Sequence, residues 1–348
     1  MNTNKTARLL VLSSLSLLAI GWFSISAAAP VVLDPDLPSY EPRPFTVPKD
    51  AGYLRPDGSI FIAGAGASKK ATDSLTALFT KTHPGTRFTT QMPGSSVGPA
   101  SILFNLSPFA VMNREMIPAE IVPFEYMYQR QPMGIRIGRG SYEKPDYSTP
   151  AAFWVNKKNP LERLTVEQVA RIFTAGGGKG DITTWGQLGL TGEWARRSIR
   201  VMGPLPTTGV AICMRVYEFG NFPYVERYEG MKSADIGRRV SEDVAALGMA
   251  DLSHRPTEPD VKIVAIGETA DGYFSRASYE DVLAGRYPFT RYLYYFLNRD
   301  PKQPLDPFVK EYLRMVLSKE GQQALCSEPN GFLPLSAKEV YAELKKLE

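Results

Sequence analysis

The chain has 348 residues, 40 Lys and Arg against 36 Asp and Glu, a formal net charge of +4 and 43% hydrophobic residues. Charge this close to balance gives no footing for nucleic acid or another polyanionic surface, and the length suffices for one large or two medium domains with ample core. Two cysteines, Cys213 and Cys326, exclude a disulfide framework and leave a single bridge open beside the alternative of an inert buried thiol at Cys213.

The amino terminus reads as an export signal. Lys5 and Arg8 form a basic start, and Leu9 to Ile25 is apolar apart from Ser13, Ser14, Ser16, Gly21 and Ser24. Ser26-Ala27-Ala28-Ala29 then offers small residues for cleavage. Pro30 disfavours a cut directly after Ala29, which puts it after Ala27 or Ala28 and bounds the signal at 1–28. An uncleaved membrane anchor is the alternative, although the run is short for a span and broken by serines. Losing 1–28 removes two cations and no acid, lowering the net charge from +4 to +2.

Residues 29–57 carry Pro30, Pro35, Pro38, Pro42, Pro44, Pro48 and Pro56. That spacing blocks helix and central strand, so an extended arm is expected, with Val31, Val32, Leu33, Tyr40 and Phe45 able to lie along the globule. From Ser59 the texture becomes α/β. Strands are expected at Ser59–Ala63, Arg87–Gln91, Pro108–Met112, Ala151–Val155, Ile199–Met202, Val261–Ile266 and Arg291–Leu297. Helices are expected at Ala71–Thr82, Pro99–Asn105, Thr165–Phe173 and Val210–Phe219. Their alternation favours a layered α/β fold over separate all-α and all-β domains.

Three Gly/Ser/Thr-rich loops run into helical stretches: Gly64-Ala65-Gly66-Ala67-Ser68, Gly94-Ser95-Ser96-Val97-Gly98 and Thr207-Thr208-Gly209. Helix N-termini present unpaired N–H groups and partial positive charge, glycine permits close approach, and hydroxyls add donors without bulk. Ser68, Ser95 and Thr208 also fit as ordinary helix caps. Three such loops, far apart in sequence, point to a small oxyanion held between parts of a folded receptor.

The ordered motifs extend further. They include Val155-Asn156-Lys157-Lys158-Asn159-Pro160-Leu161 with Leu164-Thr165, Ile172-Phe173, Trp185-Gly186-Gln187-Leu188-Gly189, Tyr287-Pro288, and Leu293-Tyr294-Tyr295. Leu317-Ser318-Lys319-Glu320-Gly321-Gln322 and Gly331-Phe332-Leu333-Pro334 close the pattern. In this order they resemble the periplasmic phosphate-binding proteins of ABC transporters, among the two-lobed solute receptors, from about Ser59 to Leu335. The resemblance implies two lobes, each a mixed β-sheet flanked by helices, joined by two hinge crossover strands near Thr149–Trp154 and Pro288–Leu293. Lobe one would combine 57–149 with 291–348, and lobe two would span 150–290.

The same resemblance implies ligand contacts from Ala67, Ser68 and Lys69, from Ser95 and Ser96, from Asn113 and Arg114, and from Thr207, Thr208 and Gly209. Two departures stand out. The third loop of relatives carries an arginine where this chain has Pro204. A variant of the family also places an aspartate, an acceptor for the proton of hydrogen phosphate, in the stretch that here reads Met112-Asn113-Arg114-Glu115-Met116. Arg114 can supply the missing charge through a bidentate contact, or it can pair with Glu115 or Glu120. Lys69 and Lys70 fit either an anion at the helix start or plain solvent exposure.

The reading implied is a periplasmic, monomeric, non-enzymatic receptor that captures phosphate or a related oxyanion and delivers it to an ABC permease in the inner membrane. It needs no metal or cofactor. The alternative keeps the fold for a sensor or envelope interaction module, or for an organophosphate or carboxylate ligand. A hydrolase is disfavoured, because His83 and His254 are the only histidines and neither sits in a ligand-spaced or Ser-activating motif.

Overall fold

The computed structural model describes residues 31–348, and the expected export signal at 1–28 lies outside the described residues. A run of small and apolar residues makes β1 (Ile60–Gly64), buried at every position. Next, α1 (Lys69–Thr82) turns Ala71, Leu75 and Phe79 inward at four-residue spacing. It begins at Lys69, two residues before its apolar pattern. β2 (Phe88–Gln91), α2 (Val97–Leu103) and β3 (Ala110–Met112) follow. Then come α3 (Pro118–Tyr128), with Pro118 in its first turn and Pro123 inside, and β4 (Met133–Arg139).

The chain then leaves this sheet and builds another. β5 (Ala151–Asn156) is fully buried. β6 (Arg163–Thr165) leads into α4 (Val166–Phe173), where Thr165 Oγ1 accepts from the Gln168 N–H at 3.1 Å and Gln168 Oε1 accepts from the Thr165 N–H at 2.9 Å. This reciprocal cap fixes the helix start. β7 (Arg200–Pro204), α5 (Gly209–Cys213), β8 (Tyr228–Met231), α6 (Ser233–Glu242) and β9 (Ala246–Asp251) follow. β10 (Val261–Ile263), β11 (Ala265–Gly267), β12 (Phe274–Ser275) and α7 (Tyr279–Leu283) complete this half. β13 (Tyr292–Leu297), α8 (Pro307–Val316), α9 (Lys319–Leu325) and α10 (Ala337–Lys345) return to the first.

The two main sheets run β2-β1-β3-β13-β4 and β10-β5-β9-β7-β8, beside a small sheet β12-β11-β6. One apolar core is built from Ala151 to Phe289 and takes in Leu333, while another combines residues between Leu37 and Ile137 with residues between Leu293 and Leu347. This is the two-lobed mixed α/β arrangement, with the chain crossing between lobes after β4 and again before β13. At the first crossing a side chain on Gly140 would meet Ser148 O at 1.8 Å, so the backbones there touch only because residue 140 is glycine.

Two sequence expectations are corrected. The single strand expected at Val261–Ile266 is two strands in different sheets, because the Val264 N–H still extends the β10–β5 ladder, donating to Phe153 O at 2.8 Å, whereas the Ala265 N–H turns to Glu162 O at 3.0 Å, beside β6. The helix expected at Val210–Phe219 is one α-turn, α5, continued by a π-helical turn at Met214–Glu218. Cys213 and Cys326 are both free, so the bridge left open does not form. Burial pushes the Cys213 thiol pKa up to about 11.

The proline-rich arm lies along lobe one. Leu37 and Tyr53 are buried, the Phe45 ring packs on Phe79 and Phe308, and Glu311 accepts hydrogen bonds from the Tyr40 hydroxyl at 2.7 Å and the Arg43 N–H at 2.8 Å.

Candidate functional site

Strand direction positions the candidate site. β1 runs parallel to β2 on one side and β3 on the other, and β7 runs parallel to β8 and β9. The carboxyl ends of β1, β2, β3 and β7 therefore emit the loops at 65–68, 92–96, 113–114 and 205–208. Ligand sites of open α/β sheets form outside the carboxyl ends, where the strand order reverses. Here that point is β1, with its sequence neighbour on one side and a later strand on the other.

In the first loop Ser68 is fully buried and its hydroxyl donates to Asn113 Oδ1, so the two loops expected to share a ligand are bonded to each other. Asn113, itself buried, donates from Nδ2 to Asp146 O at 3.4 Å and accepts the Ser148 hydroxyl on its backbone oxygen. Asp146 and Ser148 both hold positive φ, 68° and 52°, unusual for residues with a side chain. The first anion loop is thereby wired to the interlobe crossing. Ala67 is half-buried beside it. Lys69 turns away: its Nζ meets Asp73 at 2.6 Å on the exposed side of α1. Lys70 pairs with Glu328 at 2.7 Å.

In the second loop Ser95 is half-buried and Ser96 exposed, and the Ser96 side chain makes no cap bond to α2. In the third, Thr207 is exposed, while Thr208 caps α5, donating from its hydroxyl to Leu205 O at 2.8 Å and accepting the Ala211 N–H at 3.4 Å.

Arg114 faces the carboxylate of Glu120 rather than open space. Nη1 reaches Glu120 Oε2 at 2.8 Å and Nη2 reaches Oε1 at 2.7 Å, and Nη1 also donates to Glu115 O at 2.8 Å. Glu120 is itself fixed, accepting the Ile117 N–H at 2.9 Å as the N3 member of the α3 cap. Burial pulls the Arg114 pKa down, and the Glu120 carboxylate more than offsets it, so the net shift is upward. On its other side a side chain at Gly209 would stand 3.1 Å from Arg114 Nε. Arg114 thus spans the gap between lobes, against the third loop.

Other contacts cross beside it. The Cys213 thiol donates to Glu115 O at 3.7 Å, and the Tyr217 hydroxyl donates to Met116 O. The Glu115 side chain accepts from Arg291 Nη2 at 2.9 Å and from the Tyr294 hydroxyl at 3.1 Å. Burial pushes the Glu115 pKa up and Arg291 pulls it further down, leaving it lowered. Arg114–Glu120 and Arg291–Glu115 form two closed ion pairs of zero net charge. An anion arriving here meets neutral donors unless one pair opens.

Glu120, Glu115, Arg291, Tyr217 and Ser148 complete this region. Only the two glutamates carried a sequence signal, their nearness to Arg114. Ser253, His254 and Asp251 also cluster, but the Ser253 hydroxyl and His254 Nδ1 both go to Asp251 Oδ1. A base-activated serine needs the opposite ring nitrogen on the hydroxyl, so this is not a nucleophile arrangement. Among the described residues no group of three or more His, Cys, Asp or Glu is placed to hold a metal ion.

Residues 51–320 match the PBP superfamily domain. The chain belongs to the PBP superfamily. It is similar to the phosphate-binding protein PstS of two Pseudomonas aeruginosa strains, at 29% identity over 97% of this chain and 98% of the relative. It also resembles the solved structure of PstS from Borrelia burgdorferi, with a TM-score of 0.51 and 16% identity over 79% of this chain and 97% of that one. The Borrelia likeness bears on the fold, and it agrees with the two lobes described above.

Proposed function

We propose that this PBP-superfamily protein is an exported solute receptor that captures inorganic phosphate between its lobes and delivers it to an ABC permease. The observation that carries the reading is near-full-length similarity to a phosphate-binding protein in a chain whose glycine- and hydroxyl-bearing loops leave the carboxyl ends of β1, β2, β3 and β7. The ligand set is Ala67, Ser68, Lys69, Ser95, Ser96, Asn113, Arg114, Thr207, Thr208 and Gly209. The loop at 67–69 and the pair Ser95–Ser96 supply donors from lobe one, and the turn at Thr207–Gly209 closes from lobe two.

Backbone N–H groups and hydroxyls in a water-poor cleft bind a small oxyanion by charge-assisted hydrogen bonds. Closure of the lobes excludes water and sets release. The receptor acts as a periplasmic monomer without catalysis, and the signal at 1–28 directs its export. Among the described residues no helix is long and apolar enough to cross a membrane.

Calorimetry on mature protein, stripped of ligand by unfolding and refolding, tests the reading. Phosphate binding at micromolar affinity or tighter, weakened by Ser96→Ala and Arg114→Ala, is expected. No heat with phosphate overturns it.

A further inference from the structure

Each crossing between the lobes carries a buried arginine, and the two face opposite ways. Arg139, at the end of β4, is 1% exposed, and Arg291, just before β13, is 5% exposed. The Gly140 N–H donates to Arg291 O at 2.8 Å, which ties the crossings side by side. Arg291 points toward the candidate site, onto Glu115, and its Nε has no hydrogen-bond partner among the described residues. Arg139 pairs in register with Tyr292, the next residue, and consecutive residues of an extended chain point to opposite faces. Its side chain therefore lies behind the crossings, away from the site.

The Arg139 guanidinium is held by lobe one and touched by lobe two. Nη1 and Nη2 meet the two Glu339 oxygens at 2.7 and 2.6 Å, and Nη1 also donates to the Tyr292 hydroxyl at 3.3 Å. Glu339 is fixed in turn by the α10 cap, accepting the Ser336 N–H at 2.9 Å and the Ser336 hydroxyl at 2.8 Å. Lobe two meets this pair with the turn that ends α7. Nε donates to Leu283 O at 3.2 Å, and a side chain at Gly285 would stand 2.8 Å from Nη2.

A buried guanidinium stripped of its carboxylate is an uncompensated charge, so Arg139 stays with Glu339 whatever lobe two does. Lobe two rests on it through one carbonyl and a bare stretch of glycine backbone. On the site side the lobes meet through neutral bonds, the Tyr217 hydroxyl to Met116 O and the Cys213 thiol to Glu115 O at 3.7 Å. A rotation that parts the neutral contacts and keeps the charged one has its axis at Arg139. We propose that Arg139 is the pivot on which lobe two turns to close, and hence a positioning residue for anion capture; this rests on the receptor reading above.

The test compares the mature parent protein with Gly285→Ala, Arg139→Lys and Gly189→Ala. Gly285 holds a φ of 67° and Gly189 one of 86°, but nothing lies within 4 Å of a side chain placed at Gly189. Both alanine variants carry backbone strain, and Gly285→Ala alone pushes on the guanidinium. Arg139→Lys keeps a cation for Glu339 and gives up the planar fork that also reaches Leu283. The readouts are calorimetry with inorganic phosphate, stopped-flow release, and small-angle X-ray scattering with and without phosphate. Gly285→Ala and Arg139→Lys are expected to bind phosphate about tenfold more weakly, the equivalent of one hydrogen bond lost from the closed cleft. The loss should come through faster release, with a smaller fall in radius of gyration on phosphate addition. Gly189→Ala is expected to lower the thermal midpoint and leave binding and compaction as in the parent. If Gly285→Ala does not fold, Arg139→Lys decides. Parent-like affinity and compaction in either pivot variant overturns the pivot and leaves the receptor reading standing, and so does equal weakening in the two glycine variants. A parent protein that binds no phosphate overturns the receptor reading, and this proposal with it.

Discussion

Arg114 and Glu120 meet in a two-point ion pair, with both terminal nitrogens of the guanidinium on the two carboxylate oxygens at 2.7 and 2.8 Å. The geometry that suits Arg114 to a bound oxyanion is already used by an internal one. A ligand that recruits Arg114 must compete with Glu120, whose position is held by the α3 cap.

Replacing Glu120 by Gln removes that competitor. One uncompensated cation then faces the third loop, and anion affinity is expected to rise about tenfold at low ionic strength, with the gain fading as salt screens it. The lost charged hydrogen bonds lower stability by about 1–2 kcal/mol. Calorimetry in 20 and 500 mM salt and urea unfolding measure both. Equal affinity in parent and variant would remove Arg114 from the ligand set.

Tyr217 joins the lobes through one hydroxyl. A net hydrogen bond contributes about 0.5–1.5 kcal/mol, so Tyr217→Phe is expected to release phosphate about twofold to tenfold faster. Its thermal midpoint should stay within a few degrees of the parent's. Stopped-flow release with a phosphate sensor decides it, and an unchanged release rate would mean the contact is not part of closure.

Ser148 combines positive φ with a hydroxyl bonded to Asn113. Ser148→Ala keeps the unfavourable backbone and loses the bond, and should cost about 1–2 kcal/mol. Ser148→Gly relieves the backbone and should recover about 1 kcal/mol of that. Denaturant unfolding of the pair tests the order, and equal losses in both would argue against strain at this position.

Glu328 gathers Lys70 at 2.7 Å, Lys144 at 2.8 Å and the Tyr147 hydroxyl at 2.6 Å. Burial pushes its pKa up, but these donors pull it down further, from 4.5 to about 2. A carboxylate depressed on folding stabilises above its unfolded pKa and loses that contribution as pH falls through the folded one. The stability gap between parent and Glu328→Gln should therefore be full above about pH 4.5 and close toward pH 2. A gap that stayed constant across that window would rule out the linkage.

Legibility followed the range of the forces involved. β1, β5 and α4 were readable because burial and capping repeat within a few residues. The helix α3 was not: apolar on both sides and interrupted by Pro123, it shows no period. The break after Val264 was hidden because its cause is a carbonyl on Glu162, which takes the Ala265 N–H from more than a hundred residues away. The glycine and hydroxyl loops announced themselves locally, and their places at strand ends follow from the parallel pairing. What those side chains touch did not follow, since the Ser68–Asn113 bond, the Arg114–Glu120 pair and the positive φ of Ser148 exist only once distant segments meet.

The grip of the arm on Glu311 redefines where the folding unit begins. Glu311 is only 4% exposed, and besides the arm's Tyr40 and Arg43 it has Arg314 at 2.6 Å. A chain trimmed to start at β1 keeps every sheet and α-helix, yet it opens an acidic hole beside Phe79 and Phe308 in which Arg314 is the one hydrogen-bonded partner left, with His83 Nε2 at 3.9 Å. Stripping hydrogen-bond donors from a buried carboxylate is costly. The irreducible unit starts in the prolines, more than a dozen residues before the first regular element.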